Sequence, residues 1–264
     1  MRIQIDNGFL EYDLKGTGIP LLFIHGYPLS RKIWLPQLTG LSDKVKVISV
    51  DLRGHGESFP FEGAYSMDLL ADDCKRLLDE IGVQSPILVC GLSMGGYVTM
   101  ALYRKFPGLI KGMILTSTKP GPDSAEGKAN RDIAIKDAYE HGAKYIADNM
   151  LQKIVSPITF STEPDLLNNI HAIMAGTSVR GIVGALQGMK ERPDSTTILS
   201  QAKRPVLIIH GEDDRLIPVK DAELMHQHIP NSQYVVIPNA GHLPNLEQPD
   251  RFNQVLLDFI HCVA

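Results

Sequence analysis

The stretch Gly91-Leu92-Ser93-Met94-Gly95 decides the fold of this chain. A short apolar run, residues 86–90, stands directly before it, and a helical pattern over residues 94–106 follows at once. Apolar runs of this length are typical of buried strands. A serine between two such glycines, at a junction of strand and helix, predicts a turn so sharp that larger side chains there would collide. Such a turn lifts the Ser93 hydroxyl above the sheet, where it can act as a nucleophile.

Outward from this turn, apolar strands alternate with helices along most of the chain. The predicted strands are residues 2–5, 10–14, 20–24, 45–50, 86–90, 110–116, 206–210 and 233–237. The predicted helices of the alternating part are residues 31–38, 66–81, 94–106, 219–229 and 248–260. The first two strands form an antiparallel hairpin around Asn7-Gly8. The alternation elsewhere predicts an α/β fold with a mostly parallel eight-stranded sheet and helices on both faces.

One part of the chain departs from this alternation. It begins at the helix-breaking cluster Lys119-Pro120-Gly121-Pro122 and contains helical patterns only. These helices are expected at residues 130–141, 143–150, 166–175 and 179–190. A helical insertion after the sixth strand lies above the carboxyl ends of the strands, where it caps the binding crevice. We therefore expect a core of residues 1–118 and 200–264 and a cap of residues 119–199.

The composition argues against several classes of protein. The chain has 264 residues, is 44% hydrophobic and carries a formal net charge of −4, without the basic excess of nucleic-acid binders. No stretch is long and apolar enough to span a bilayer, and residues 1–14 do not resemble a signal peptide. Cys74, Cys90 and Cys262 have no metal-like spacing. We expect a cytoplasmic protein with free thiols that binds neither nucleic acid, membrane nor metal.

A serine hydroxyl needs a base, and the base needs an acid that orients it. His242 lies in the loop between the last strand and the last helix, from which a side chain can reach over the sheet to Ser93. The acid is expected after the preceding strand, because the order serine, acid, histidine is the one that suits this topology. Glu212, Asp213 and Asp214 all stand there, and chemistry alone leaves the choice open.

Acyl transfer also needs donors for the developing oxyanion. One is the Met94 N–H, which lies at a helix N-terminus, where amides are unpaired. The second is expected in the loop His25-Gly26-Tyr27-Pro28, which follows the strand 20–24. Proline cannot donate, so the Tyr27 N–H is the candidate, with the Tyr27 side chain beside the substrate.

The combined motifs are similar to those of a known family. The chain resembles α/β-hydrolase carboxylesterases of the small, capped bacterial type, and it is also similar to 3-oxoadipate enol-lactonases, acyl-homoserine-lactone-degrading esterases and cofactor-free haloperoxidases. The resemblance covers nearly the whole chain outside the cap. The matching stretches are His25–Pro28, Asp51–Ser58, Gly91–Gly96, Gly211–Pro218 and Gly241–Pro249.

This resemblance implies particular roles. In the family the acid follows the glycine by three positions and a proline stands four further on, which from Gly211 selects Asp214 and Pro218. Dehalogenases and epoxide hydrolases of this fold carry aspartate where Ser93 stands. Haloperoxidases usually carry tryptophan where Tyr27 stands.

We therefore expect a carboxylesterase in which Ser93, His242 and Asp214 form a triad and act on short- to medium-chain acyl esters, without cofactor or metal. A lactonase acting on an acyl-homoserine lactone or 3-oxoadipate enol-lactone is the first alternative. A carbon–carbon hydrolase, a perhydrolase or haloperoxidase, and a hydrolase-like ligand receptor are further ones. The expected partner is a small ester or lactone, and the sequence does not predict the oligomeric state. The residues expected to line the substrate pocket are Tyr27, Met150, Ile154 and Met189.

Overall fold

A single eight-stranded sheet forms the centre of the computed structural model, which describes residues 1–263. Its strands are β1 (Arg2–Ile5), β2 (Gly8–Lys15), β3 (Pro20–Ile24), β4 (Lys46–Val50), β5 (Ile87–Leu92), β6 (Ile110–Thr116), β7 (Val206–Gly211) and β8 (Gln233–Ile237). They lie in the order β1-β2-β4-β3-β5-β6-β7-β8. The pairs β1–β2 and β2–β4 are antiparallel and all others are parallel. The mostly parallel eight-stranded sheet is thus confirmed.

Helices surround the sheet. They are α1 (Leu35–Leu41), α2 (Met67–Glu80), α3 (Met94–Lys105), α4 (Ala125–Ile154), α5 (Pro157–Thr162), α6 (Pro164–Ala175), α7 (Val179–Lys190), α8 (Thr196–Ser200), α9 (Val219–His228), α10 (Pro244–Glu247) and α11 (Pro249–Val263), with a 3₁₀ turn at Arg31–Trp34 before α1. Among residues 1–263, none of these helices combines the length and the apolarity that a membrane crossing requires.

Strand β3 shows why both faces of the sheet are covered. All five of its residues are buried, and they alternate between two cores. Leu22 and Ile24 pack in the core that includes α2 and α3, whereas Leu21 and Phe23 pack in the core that includes α1 and α11. A strand with apolar side chains on both faces reads as a continuous apolar run, which is the pattern of a central parallel strand.

Helices α4 to α8 lie between β6 and β7, and the described chain has no strand there. The sequence predicted separate helices at residues 130–141 and 143–150. The structure has one longer helical segment, α4, interrupted at Gly142, whose φ of +77° is non-helical. The short helices α5, α8 and α10 were not predicted, because four to six residues span too few turns to show a helical period.

Helix α7 approaches the core through a stripe of glycines. A Cβ at Gly181 would lie 2.0 Å from the carbonyl oxygen of Gly54, and one at Gly188 would lie 1.7 Å from that of Tyr65. Between them, the Gly184 carbonyl accepts a hydrogen bond of 2.8 Å from the Tyr65 N–H. Only glycine permits this approach of helix to backbone, so these positions set how closely α7 packs against the segment that contains Gly54 and Tyr65.

Replacing Gly188 by alanine tests this contact. In a helix alanine is favoured over glycine by about 1 kcal/mol, so a free site would gain stability. Because the new Cβ would overlap the Tyr65 carbonyl, we expect the free energy of unfolding to fall by about 1–3 kcal/mol instead. Urea denaturation measures the change. Gly121→Ala is the control, since a Cβ there meets nothing within 4 Å. A Gly188→Ala protein as stable as the wild type would contradict this account of the docking.

Candidate active site

Ser93 is the one residue between strand β5 and helix α3. Its backbone has φ +55° and ψ −113°, a conformation that a residue with a side chain rarely adopts and that costs roughly 1–3 kcal/mol. Its own N–H donates to the Thr116 carbonyl at 2.9 Å, and the Thr118 hydroxyl donates to the Ser93 carbonyl at 2.9 Å. Strand β6 and the residues after it therefore hold the strained turn in place.

The glycines on either side of Ser93 are required by close contacts. A Cβ at Gly91 would lie 2.2 Å from the Gly95 carbonyl oxygen. A Cβ at Gly95 would lie 2.1 Å from the Ile24 carbonyl oxygen, so the collision there is with the neighbouring strand β3. The sequence argument anticipated the crowding, and the structure identifies its partners.

His242 and Asp214 come together in the buried region above the carboxyl ends of the strands. His242 Nδ1 lies 2.7 Å from Asp214 Oδ2 and donates to it, because a carboxylate oxygen can only accept. The other oxygen of Asp214 accepts from the N–H groups of Leu216 and Ile217, at 2.9 and 3.0 Å. The His242 N–H donates to the Ile154 carbonyl at 3.1 Å. This arrangement fixes the imidazole and leaves Nε2 as its proton acceptor.

The two neighbouring acids are placed differently. Glu212 is exposed, and its N–H donates to the Ile237 carbonyl. Asp213 is half-buried, and its N–H donates to the Ala240 carbonyl at 2.9 Å. Of the three acids left open by chemical reasoning, Asp214 is the one whose carboxylate meets His242.

A second histidine touches the same carboxylate. His210 Nε2 lies 2.8 Å from the Ile217 carbonyl oxygen and 3.3 Å from Asp214 Oδ2. Burial raises the pKa of Asp214, but the charge of His242 and the hydrogen bonds from His210 and His242 outweigh burial and hold that pKa well below its usual range. Asp214 is therefore ionised wherever the protein is folded at moderate pH.

Ser93 and His242 line one cavity of about 290 Å³. Its other walls are Tyr27, Tyr97, Lys119, Asp123, Arg131, Met150, Met189, Leu216 and Ile217. Three of the predicted pocket residues, Tyr27, Met150 and Met189, are therefore present.

The expectation for Ile154 was wrong. Its side chain is fully buried in the same apolar core as Val155 and Leu243 and does not line the cavity. As the last residue of α4, Ile154 has turned down into the core, and its carbonyl supports the His242 loop instead.

The segments that carry the two predicted oxyanion donors, Tyr27 and Met94, lie beside Ser93. Met94 begins α3, so no preceding turn of the helix offers its N–H an acceptor, and the helix dipole favours an anion there. The loop that carries Tyr27 passes close by, since a Cβ at Gly26 would lie 3.1 Å from Ser93 Cβ. His25 holds that loop, because its Nδ1 donates to the Gly26 carbonyl at 2.8 Å while Nε2 accepts from the Leu52 N–H at 3.0 Å.

The sequence reasoning missed the charged residues of the cavity. Lys119, Asp123 and Arg131 all belong to its wall. Asp123 accepts hydrogen bonds from Arg131 and, at 2.7 Å, from Arg192. No signal in the sequence distinguished these residues, because single charges on a helix or next to a breaker cluster are typical of solvated surface.

Within residues 1–263, no group of three His, Cys, Asp or Glu side chains has a geometry suited to a metal ion.

Comparison with known proteins agrees with this fold. A family model described as the alpha/beta hydrolase fold matches residues 19–249. The chain belongs to the α/β-hydrolase family.

Three members of this α/β-hydrolase family are similar to the chain over almost its whole length. The malate-bound structure of a thermophilic esterase from Thermogutta terrifontis superposes with a TM-score of 0.97 at 38% identity, over 100% of this chain and 99% of that one. The enol-lactonase of Burkholderia xenovorans superposes with a TM-score of 0.92 at 25% identity, covering 99% and 100%. 3-Oxoadipate enol-lactonase 2 of Acinetobacter baylyi is 28% identical over 236 residues, 89% of this chain and 86% of that one. The protein is thus a hydrolase-family member with esterase and lactonase relatives.

Two buried histidines predict an acid sensitivity: His25, in the loop that carries Tyr27, and His55, whose ring is next to that of His25. Burial lowers the pKa of His25 to about 4 and that of His55, whose ring lies 5.1 Å away, to about 3. Below the ordinary histidine pKa of 6.5, these two histidines bind protons in the unfolded chain but stay neutral in the folded protein. Each histidine therefore removes up to about 1.4 kcal/mol of stability per pH unit as the pH falls from about 6.5 toward 4, and its contribution is complete above that range.

Urea denaturation between pH 7 and pH 4 measures this slope, and His55→Asn is expected to reduce it. The exposed His261→Asn is the matched control, expected to behave as the wild type. An unchanged slope in His55→Asn would show that His55 titrates normally in the folded protein.

Proposed function

We propose that this α/β hydrolase cleaves carboxylic esters with short- to medium-chain acyl groups through an acyl-enzyme formed on Ser93. The observation that carries the proposal is that Ser93 and the Asp214-bound His242 line one cavity. A strained serine, an oriented imidazole and a helix N-terminus are the three elements that acyl transfer needs.

In the first half of the reaction, His242 Nε2 takes the proton of Ser93 as the hydroxyl oxygen attacks the ester carbonyl. Asp214 keeps the proton on Nδ1 and stabilises the imidazolium that forms. The N–H groups of Tyr27 and Met94 donate to the oxyanion of the tetrahedral intermediate. When the intermediate collapses, the bond from carbon to the alcohol oxygen breaks, and His242 protonates the leaving alcohol.

The second half repeats these steps with water. His242 takes a proton from a water molecule, whose oxygen attacks the acyl carbon, and the same two N–H groups hold the second oxyanion. Collapse breaks the bond to Ser93, His242 returns the proton to the serine, and the acid leaves.

Hydrolysis of a cyclic ester is the second candidate. The bonds made and broken are the same, except that the alcohol stays tethered to the acyl group. The enol-lactonases of A. baylyi and B. xenovorans among its relatives support this alternative. Parallel rates on 4-nitrophenyl butyrate, an acyl-homoserine lactone and an enol-lactone distinguish an open ester from a closed one. A protein that tightly binds one small molecule but turns over none of these would be a receptor instead.

Replacing Ser93 by alanine removes the nucleophile while leaving the glycines of the turn. We expect hydrolysis of 4-nitrophenyl butyrate to fall by roughly 10⁴-fold or more. Circular dichroism checks that the variant is folded. Substantial activity in a folded Ser93→Ala protein would eliminate the acyl-enzyme mechanism.

The adjacent acids offer a matched pair of variants. Asp214→Asn removes the charge that orients and stabilises His242, so we expect turnover to fall by roughly 10⁴-fold. Asp213→Asn changes the same chemical group one position earlier and should keep activity near that of the wild type. A greater loss at Asp213 than at Asp214 would overturn the assignment of the acid.

A further inference from the structure

The wall of the cavity that holds Ser93 and His242 carries charges that ester hydrolysis itself does not explain. Lys119, Asp123 and Arg131 line this cavity, although most of the remaining wall beyond Ser93 and His242 is apolar or aromatic. Charged groups beside an apolar wall cost free energy unless they are paired. The hydrogen-bond and ion-pair partners of these three residues therefore indicate which chemical group of a substrate the cavity wall is suited to bind.

Asp123 is shared between two arginines. Its Oδ2 accepts from Arg131 Nε, and its Oδ1 accepts from Arg192 Nη1 at 2.7 Å. Burial raises the pKa of Asp123, but the two guanidinium groups lower this pKa by more than burial raises it, so that it lies below its usual value. One carboxylate between two guanidinium groups leaves this cluster with an excess of positive charge.

The two arginines differ in what they have left to donate. Arg192 uses Nη1 and Nη2 within the protein, since they also donate to the carbonyls of Met189 and Gly121, each at 2.9 Å, and its guanidinium lies 4.1 Å over the ring of Tyr97. Its Nε is buried without a partner, but Arg192 does not line the cavity. Arg131 Nη1 has only the sulfur of Met189, at 3.5 Å, which is a weak acceptor. Because Met189 and Arg131 both line the cavity, this nitrogen has a donor to spare at the cavity wall.

Two further groups at this wall have no partner. Lys119 is half-buried, and no carboxylate among residues 1–263 lies within ion-pair distance of it. Asp221 lines a separate cavity together with Lys119 but forms no ion pair with it. The hydroxyl of Tyr27 is buried and makes no hydrogen bond to any described residue. The cavity wall thus offers two cations and one hydroxyl without an acceptor.

We propose that Arg131, Lys119 and the Tyr27 hydroxyl bind a carboxylate of the substrate, so that the preferred ester or lactone is an anionic one. This inference rests on the proposed function, because it names the substrate class of the same site. A carboxylate supplies the acceptors that all three groups lack, whereas a neutral ester leaves them unpaired. A site whose polar groups bind one group of the substrate discriminates strongly against substrates that lack this group. We therefore expect the substrate carboxylate to determine which esters are preferred.

The size of the cavity restricts the substrate further. At about 290 Å³ it is at the lower end of small-molecule pockets, and it must hold both the scissile ester beside Ser93 and the carboxylate. The substrate is therefore compact, with a short linker between its two carboxyl-derived groups.

Two pairs of substrates test the inference by changing charge at nearly constant shape. Monoethyl glutarate and ethyl glutaramate carry a carboxylate or an amide on the acyl side. 4-Acetoxybutyrate and 4-acetoxybutyramide carry the same groups on the alcohol side. We expect kcat/KM for the carboxylate to exceed that for the amide by about tenfold or more in at least one pair, as charge-assisted hydrogen bonds predict.

Arg131→Gln and Lys119→Gln remove the cations one at a time, and each is expected to lower this preference at least fivefold, mainly by raising KM. Lys119 has no protein partner to disturb, so its variant stays informative even if Arg131→Gln unfolds. Arg180→Gln is the matched control, because Arg180 is an exposed arginine of α7 that pairs with Glu62. Its preference should equal that of the wild type.

4-Nitrophenyl acetate, a small neutral ester, separates the two proposals. Cleavage of this ester without a preference for the carboxylate in either pair, or with a preference that neither variant reduces, overturns the inference and leaves the proposed function standing. Failure to cleave any of the five esters overturns the proposed function, and the inference with it.

Discussion

The tight crossing of backbone at Ser93 is the constraint on which the rest of the site depends. Strand β5 must turn into α3 within one residue, and the turn is pressed against β3, where a Cβ at Gly95 would reach 2.1 Å from the Ile24 carbonyl oxygen. Because β3 and β5 are parallel neighbours, their carboxyl ends meet at one edge of the sheet. The loop after β3, with Gly26 beside Ser93 Cβ, is thereby brought to Ser93 along with its backbone N–H groups.

A buried anion organises the other half of the site. Asp214 meets His242 on one oxygen and two backbone N–H groups on the other, with His210 close to the first. An unpaired carboxylate in this position would be costly, but one with several donors is stabilised in its charged form. The same interactions fix the position of the imidazole, so the contacts that stabilise the Asp214 charge also orient the His242 ring.

The segment between β6 and β7 makes two kinds of contact with different consequences. The glycines of α7 bring that helix against the backbone at Gly54 and Tyr65, which sets the distance between the two layers. The cluster of Asp123, Arg131 and Arg192 joins cap segments beside the cavity. The charged residues of the cavity wall thus come from the insertion, while Ser93, Asp214 and His242 come from the part of the chain that forms the sheet.

The sequence by itself determined the sheet, the turn at Ser93 and the position of His242, because local rules govern them. Buried strands are recognisable as short apolar runs, and the sharp turn at Ser93 requires glycine two residues before and two residues after the serine. The tertiary structure brought Asp214, and not Asp213, to His242, since adjacent acids differ only in direction. The tertiary structure also places Ile154 in the apolar core and Arg131 at the wall of the cavity. Whether a helical side chain faces a cavity or the core depends on how whole helices pack, and residue type and spacing carry no record of that packing.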